Sequence, residues 1–151
     1  MKYIAYGSNM SVGQMAYRCS DAKLIGTGYI EGARLEFYLH ATVERSEIKT
    51  DRVPVAVWEI GAEDEQRLDL YEGYPSYYTK REWTVCMTDG SQIRGMIYLM
   101  LGCRPQPPES YYYEGIRAAY EDLGLASEIE TALRPALVRT QKRVRRGGRP
   151  K

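Results

Sequence analysis

Short strand patterns separated by turn residues fill the first two thirds of the chain. Runs of β-branched and aromatic residues bounded by Gly, Pro, Asn and Asp are typical of strands. Such runs predict strands over residues 2–6, 24–30, 34–39, 53–60, 82–87 and 93–101. Turns are predicted at 31–32 and 88–91, and we expect Pro54 to keep its end of a strand off a paired position.

Helices are predicted between and after these strands, over residues 11–18, 62–71, 111–123 and 127–133. Asn9 or Ser11 would cap the first of them. The helix at 62–71 has three acidic residues in its first turn, where negative charge complements the helix dipole, and Gly73 is placed to end it. This order of elements predicts an α+β fold that is strand-rich at first and helical at its C-terminus.

Length and composition indicate one globular domain in a reducing compartment. The chain has 151 residues, 44% of them hydrophobic, which is enough for a sizeable core. No apolar run approaches the ~20 residues of a transmembrane helix, and no signal-peptide pattern begins the chain, so we expect a cytoplasmic protein. Three widely spaced cysteines, Cys19, Cys86 and Cys103, favour reduced thiols over a disulfide framework.

Basic residues crowd the last ten positions, which contain no acid: Lys142, Arg143, Arg145, Arg146, Arg149 and Lys151. The chain has 21 basic and 20 acidic residues, so without these six the body holds 15 against 20 and a net charge of −5. We therefore divide the chain into a domain at 1–141 and a flexible basic tail at 142–151. The tail is either a solvated terminus or a weak contact for a polyanion, such as nucleic acid, an acidic partner or a membrane surface.

Familiar catalytic motifs are missing from the sequence. His40 is the only histidine, and no acid–His–nucleophile spacing surrounds it. Neither Gly-x-Gly-x-x-Gly nor a Walker loop supports nucleotide binding, and neither Cys-x-x-Cys nor His-Glu-x-x-His supports zinc. We therefore predict no cofactor and no metal. If the protein is an enzyme, a carboxylate should do the proton transfer.

Glu72 is the carboxylate that the pattern favours, within the stretch LDLYEGYPSYY. It lies at the C-terminal end of a predicted helix, where the dipole disfavours an anion, and three tyrosines follow it. Both the dipole and desolvation by aromatic neighbours would raise its pKa, as general acid–base catalysis near neutral pH requires. The alternative is a solvent-exposed glutamate next to the helix-ending Gly73.

Five stretches, taken in order, resemble the gamma-glutamyl cyclotransferase-like family: YGSNM, VAVWEI, LDLYEGYPSYY, MIYLM and PPESYYYEGI. The resemblance covers roughly residues 1–125. Its most specific features are the Tyr-Gly-Ser-Asn turn after the first strand and the Glu-Gly pair after a Leu-Asp helix. It implies a small mixed-sheet, barrel-like α+β domain with the site at one end.

The resemblance also implies roles for individual residues. The backbone amides of one turn would hold the glutamyl carboxylate of a small-molecule substrate: Tyr6, Gly7, Ser8, Asn9 and Met10, the last in place of the family's leucine. Glu72 would be the catalytic acid/base. Two tyrosines would bind the substrate or line the pocket, and we prefer Tyr78 over Tyr77 and Tyr113 over Tyr112.

The activity implied by the resemblance needs no protein nucleophile. The α-amine of a γ-glutamyl group attacks its own γ-carbonyl, which forms 5-oxoproline and releases an amine or amino acid. The enzyme must orient the substrate and move a proton from the ammonium to the leaving amine. The alternative is a non-catalytic binding module of the same fold. Nothing in the sequence selects the leaving group.

Overall fold

A computed structural model describes residues 1–102 and 104–147, which form seven strands and four α-helices. The strands are β1 Lys2–Ala5, β2 Lys23–Glu31, β3 Ala33–Tyr38, β4 His40–Arg45, β5 Arg52–Glu59, β6 Tyr78–Met87 and β7 Gln92–Met100. The helices are α1 Val12–Arg18, α2 Ala62–Glu72, α3 Ser110–Asp122 and α4 Arg134–Gly147. Short 3₁₀ segments at Ser8–Met10 and Ala126–Glu128 and a π segment at Ile129–Leu133 complete the described elements.

Five strands close into a barrel in the order β1-β5-β2-β6-β7. The β1–β7 contact that closes it is parallel, with Tyr3 opposite Met96, and the other pairs are antiparallel. Strands β3 and β4 form a separate antiparallel ladder from Ala33↔Arg45 to Tyr38↔His40. The predicted barrel-like, mixed-sheet α+β fold is therefore confirmed.

Strand β4 is missing from the sequence prediction, and the turn before it explains why. Leu39 connects β3 to β4 with a left-handed φ of 68°, a conformation that usually marks glycine or asparagine. The predicted turn at 31–32 exists, with Gly32 at a φ of 66°, but it does not join a hairpin. Strand β2 pairs with β5 and β6 instead, while β3 pairs with β4.

Strand β5 lies between β1 and β2 in the barrel and contributes four fully buried residues to the core, Val53, Val55, Ala56 and Val57. The prediction that Pro54 stands off a paired position is wrong, because Pro54 lies opposite Tyr29 of β2. Its missing N–H is tolerable because the pairing of β5 with β1 covers only the far end, from Ala56 onward.

The C-terminal residues correct the predicted domain boundary. Helix α4 continues to Gly147, so a flexible tail beginning at residue 142 is wrong for 142–147, while 148–151 lie outside the described residues. Arg139 and Arg143, four residues apart on one helix face, form ion pairs with Glu36 of β3, which has no exposed surface. This buried carboxylate holds α4 against the β3–β4 ladder. Contact with a polyanion stays a prediction.

Two further sequence expectations concern the cysteines and the membrane. Cys19 and Cys86 are free thiols, and Cys103 lies outside the described residues. Among the helices at 1–102 and 104–147, none is both long and apolar enough to cross a bilayer.

Candidate active site

A cavity of about 300 Å³ opens at one end of the barrel. Residues 6–9 after β1 line it on one side, and residues 70–73 at the end of α2 line it on another. Residues 77–78 at the start of β6 and Tyr112 of α3 also line it. The cavity thus brings together two segments that the sequence singles out, the Tyr-Gly-Ser-Asn turn and the Glu-Gly pair.

Glu72 is the last residue of α2 and contributes the carboxyl group of the cavity. Gly73 follows it in a left-handed conformation, with a φ of 66°, and donates its N–H to the carbonyls of the last helical turn. Burial raises the pKa of Glu72 to about 7, while the positive charge of Arg18 acts in the opposite direction. A half-buried carboxyl that titrates near neutrality can both accept and donate a proton under physiological conditions.

The turn after β1 approaches Tyr112 closely at Gly7. A Cβ at this position would lie 3.3 Å from the Tyr112 hydroxyl and 3.5 Å from the Ala41 Cβ, so only glycine fits without a shift. Met10 N–H donates to the Gly7 carbonyl at 3.0 Å, and Ser11 N–H donates to Ser8 at 3.1 Å. The turn's own hydrogen bonds therefore leave the N–H groups of Ser8 and Asn9 unused.

Met10 does not line the cavity as predicted. Its side chain is fully buried in the core, and its N–H is already bonded to the Gly7 carbonyl within the turn. The substitution of methionine for the family's leucine therefore concerns packing beneath the site.

Asn9 is held on three sides. Its side-chain Nδ2 donates to the Tyr3 hydroxyl at 2.9 Å, and its main-chain carbonyl accepts from Trp58 Nε1 at 3.0 Å. Its Oδ1 accepts a short hydrogen bond from Arg18. Because both ends of the side-chain amide and the main-chain carbonyl are hydrogen-bonded, Asn9 keeps the turn in one conformation.

Arg18 is a residue near the site that the sequence reasoning missed. Its guanidinium lies 3.4 Å from Ser8 Oγ and stacks on Tyr71, with its central carbon 3.6 Å from the ring centroid. Arg18 thus links α1 to both segments that carry the predicted site. A basic residue in the last turn of a helix is ordinary, since it complements the dipole, and gave no signal of this role.

The tyrosines need one correction. Tyr78 lines the cavity and donates to the Ala41 carbonyl at 2.8 Å, whereas its neighbour Tyr77 lines the more exposed part. In α3, Tyr112 lines the cavity and accepts from Ala41 N–H at 3.0 Å. Tyr113 points to another face and packs against Phe37, with ring centroids 6.1 Å apart, so the preference for Tyr113 is wrong.

Strand β4 supplies two cavity residues that sequence reasoning left out, His40 and Ala41. Burial lowers the pKa of His40, and its Nδ1 lies 3.2 Å from the Tyr77 hydroxyl. Ala41 accepts from Tyr78 and also from Tyr6, at 3.4 Å. Within the described ranges, no group of three or more His, Cys, Asp or Glu side chains is arranged to hold a metal ion.

Comparisons with known proteins give the family and the fold of the chain. The family model described as gamma-glutamyl cyclotransferase, AIG2-like, matches residues 3–116. A solved structure named gamma-glutamyl cyclotransferase is 26% identical with a TM-score of 0.79, and the match covers 88% of this chain and 85% of that chain. The crystal structure of an uncharacterized protein from Homo sapiens is 27% identical, with the same TM-score and coverage.

A more distant match shows the fold alone. YkqA from Bacillus subtilis is 18% identical with a TM-score of 0.69, and the match covers 87% of this chain and 53% of that chain. The comparison with curated proteins gave no match. Since the family model spans most of the chain, including the turn after β1 and the end of α2, the protein belongs to the gamma-glutamyl cyclotransferase, AIG2-like family.

Proposed function

We propose that this protein is a gamma-glutamyl cyclotransferase that converts a γ-glutamyl compound to 5-oxoproline and a free amine or amino acid. The observation that carries the proposal is the raised pKa of Glu72, about 7, in a cavity shared with the Tyr-Gly-Ser-Asn turn. The family and the match to a structure named gamma-glutamyl cyclotransferase support the same reaction class.

The proposed reaction is an intramolecular acyl transfer. The substrate's α-amine forms a bond to its own γ-carbonyl carbon, and the bond from that carbon to the leaving nitrogen breaks. The attacking ammonium loses two protons as it becomes the ring N–H. Glu72 takes the first and gives it to the leaving nitrogen, and the second passes through the same carboxylate to the released amine, so Glu72 ends in the state in which it began. A carboxyl with a pKa near 7 suits both steps, because neither protonation state is strongly favoured at neutral pH.

The turn after β1 is proposed to hold the α-carboxylate of the substrate. The N–H groups of Ser8 and Asn9 are not used by the turn itself, and the Arg18 guanidinium lies beside Ser8 Oγ. Together they offer donors and positive charge to an anion. Holding the carboxylate there would leave the α-amine free to fold back onto the γ-carbonyl, which is the orientation that cyclisation needs.

The test is release of 5-oxoproline from a panel of γ-glutamyl amines and γ-glutamyl amino acids. Each substrate is paired with its N-acetylated form, which lacks the nucleophilic amine and is expected to be inert. Efficient cleavage of an N-acetyl substrate would indicate ordinary hydrolysis and contradict cyclisation. Binding of panel members without any 5-oxoproline would support the non-catalytic binding module instead.

A further inference from the structure

The cavity changes character between its floor and its mouth. The lining residues Tyr6, Tyr78 and Asn9 are 6%, 4% and 2% exposed, so they form a closed floor. Leu70 is 85% exposed and Tyr71 47% exposed, although both also line the cavity. The cavity therefore opens beside the last turn of α2 and beside Tyr77, which is 36% exposed, and a group that extends from the floor passes these side chains.

The mouth is apolar and aromatic. Its side chains are those of Leu70, Tyr71 and Tyr77. His40 adds an imidazole, and burial lowers its pKa, which favours the neutral form. Among the described lining residues, Glu72 is the only acidic or basic one besides His40. The Arg18 guanidinium stacks on Tyr71 but is outside the cavity lining, and its hydrogen bonds go to Ser8 and Asn9 of the turn. The surface at the mouth thus suits a group that buries apolar area.

We propose that the mouth is a subsite for the leaving group and that it selects γ-glutamyl compounds whose leaving group carries an aromatic or bulky apolar side chain. This inference rests on the proposed function, which places the glutamyl part between Glu72 and the turn. The leaving nitrogen then lies near Glu72, and its substituent extends outward across Leu70, Tyr71 and Tyr77. A solvent-exposed leucine at this point of α2 acquires a function in the complex, as the apolar wall against which the substituent packs.

Two matched substrate pairs test the selection without presuming that the leaving group is an amine or an amino acid. The first pair is γ-glutamyl-benzylamide and γ-glutamyl-methylamide, and the second is γ-glutamyl-phenylalanine and γ-glutamyl-alanine. Within at least one pair, we expect kcat/KM for the aromatic member to be about tenfold higher or more, the order expected when a ring leaves water for an apolar surface. Equal kcat/KM within both pairs, with 5-oxoproline formed, would overturn the inference and leave the proposed function intact.

A variant at the mouth distinguishes binding in the subsite from a general effect of substrate hydrophobicity. Leu70→Ser should reduce the ratio of aromatic to small-substrate kcat/KM by about threefold or more, since it removes apolar area at the mouth. Tyr17→Ser is the matched control, because Tyr17 is 90% exposed on α1 and is outside the cavity lining. An unchanged ratio in Leu70→Ser would contradict the subsite. Absence of 5-oxoproline from all four substrates would overturn the proposed function and this inference with it.

Discussion

Two glutamates, Glu36 and Glu72, are withdrawn from solvent in very different ways. Glu36 has no exposed surface and has three arginines around it, Arg34, Arg139 and Arg143, at 2.9, 3.5 and 3.3 Å. Only Arg143 is aligned for a hydrogen bond to it. Glu72 has Arg18 as its one opposing charge among the causes of its pKa shift, and Arg18 is already bonded to Asn9.

The two glutamates differ in the number of cations around them, and this difference gives their charges opposite effects on stability. Glu36 is the shared partner of three guanidinium groups, and its loss would leave these positive charges without that partner. The half-buried Glu72 has only one cation opposing its desolvation, so its pKa is raised and its ionisation costs stability. Glu36 therefore belongs to the attachment of α4, and we expect Glu72 to belong to the reaction.

The largest expected contrast is in turnover. Glu72→Gln keeps the shape of the side chain but removes its ability to carry a proton, so kcat should fall by more than about a hundredfold. Glu63→Gln is the matched control on the same helix, since the Glu63 side chain is 84% exposed. Glu36→Gln should keep its kcat per folded molecule. A Glu72→Gln protein with near-normal 5-oxoproline release would remove the contrast.

The second contrast is in stability, where Glu36→Gln should have the larger effect. Removing the charge leaves three arginines without their shared partner and should lower the free energy of unfolding by roughly 2–3 kcal/mol. The value is at the low end for a buried pair because each arginine keeps about a third of its side chain in solvent. Urea unfolding measures it, and a change within about 0.5 kcal/mol would contradict the role of Glu36 in holding α4.

Glu72→Gln should change stability in the opposite direction, and the effect should depend on pH. Below the ordinary pKa of 4.5 the carboxyl is protonated in the folded and the unfolded chain alike, so its burial does not lower the free energy of unfolding through ionisation. Between 4.5 and about 7 only the unfolded chain is ionised, so the folded state loses stability as pH rises, and the loss is complete above about 7.

The full shift corresponds to roughly 3 kcal/mol, and access to solvent through the mouth reduces our expectation to about 2 kcal/mol. Unfolding curves at pH 8 should therefore show Glu72→Gln to be more stable than the parent protein, with the difference nearly absent at pH 4.5. The variant and parent having the same stability at pH 8 would argue that Glu72 is not penalised by burial.

The smallest predicted effect concerns Arg18. Its charge lowers the pKa of Glu72, so Arg18→Gln should move the Glu72-dependent limb of the kcat/KM profile to higher pH. Arg18→Lys keeps the charge without the stacked guanidinium and should restore most of the profile. A lower kcat at every pH with an unmoved limb would reduce Arg18 to a structural support for Asn9 and Tyr71.

The parts of the site that sequence reasoning found are those carried by local patterns. A turn directly after a strand and a glutamate before a helix-ending glycine are readable because each depends on neighbouring residues alone. Packing of α1 and β4 brings Arg18 beside the cavity and His40 and Ala41 into its lining. Strand β4 follows Leu39, whose left-handed backbone conformation no turn pattern in the sequence predicts. The choice between Tyr112 and Tyr113 depends on the rotation of α3 about its axis.

The fold shows the same division. Strands and helices along the chain were largely predictable, since alternation and caps are local. The parallel pairing of β1 with β7, which closes the barrel, joins residues far apart in the sequence, and no local hydrophobic pattern predicts it. Within residues 142–147, Arg143 pairs with Glu36, which is more than a hundred residues earlier, so the local run of basic residues predicts a tail where the structure has a helix.

The most direct test of the comparison is the titration of Glu72 itself. Carbon-13 NMR of the glutamate side-chain carboxyls, with Glu72→Gln to assign the signal, measures its pKa in the free protein. We predict a midpoint near 7, well above the ordinary value of 4.5. A midpoint near the ordinary value of 4.5 would show that burial does not tune this carboxyl, and the proposed proton transfer through Glu72 would lose its basis.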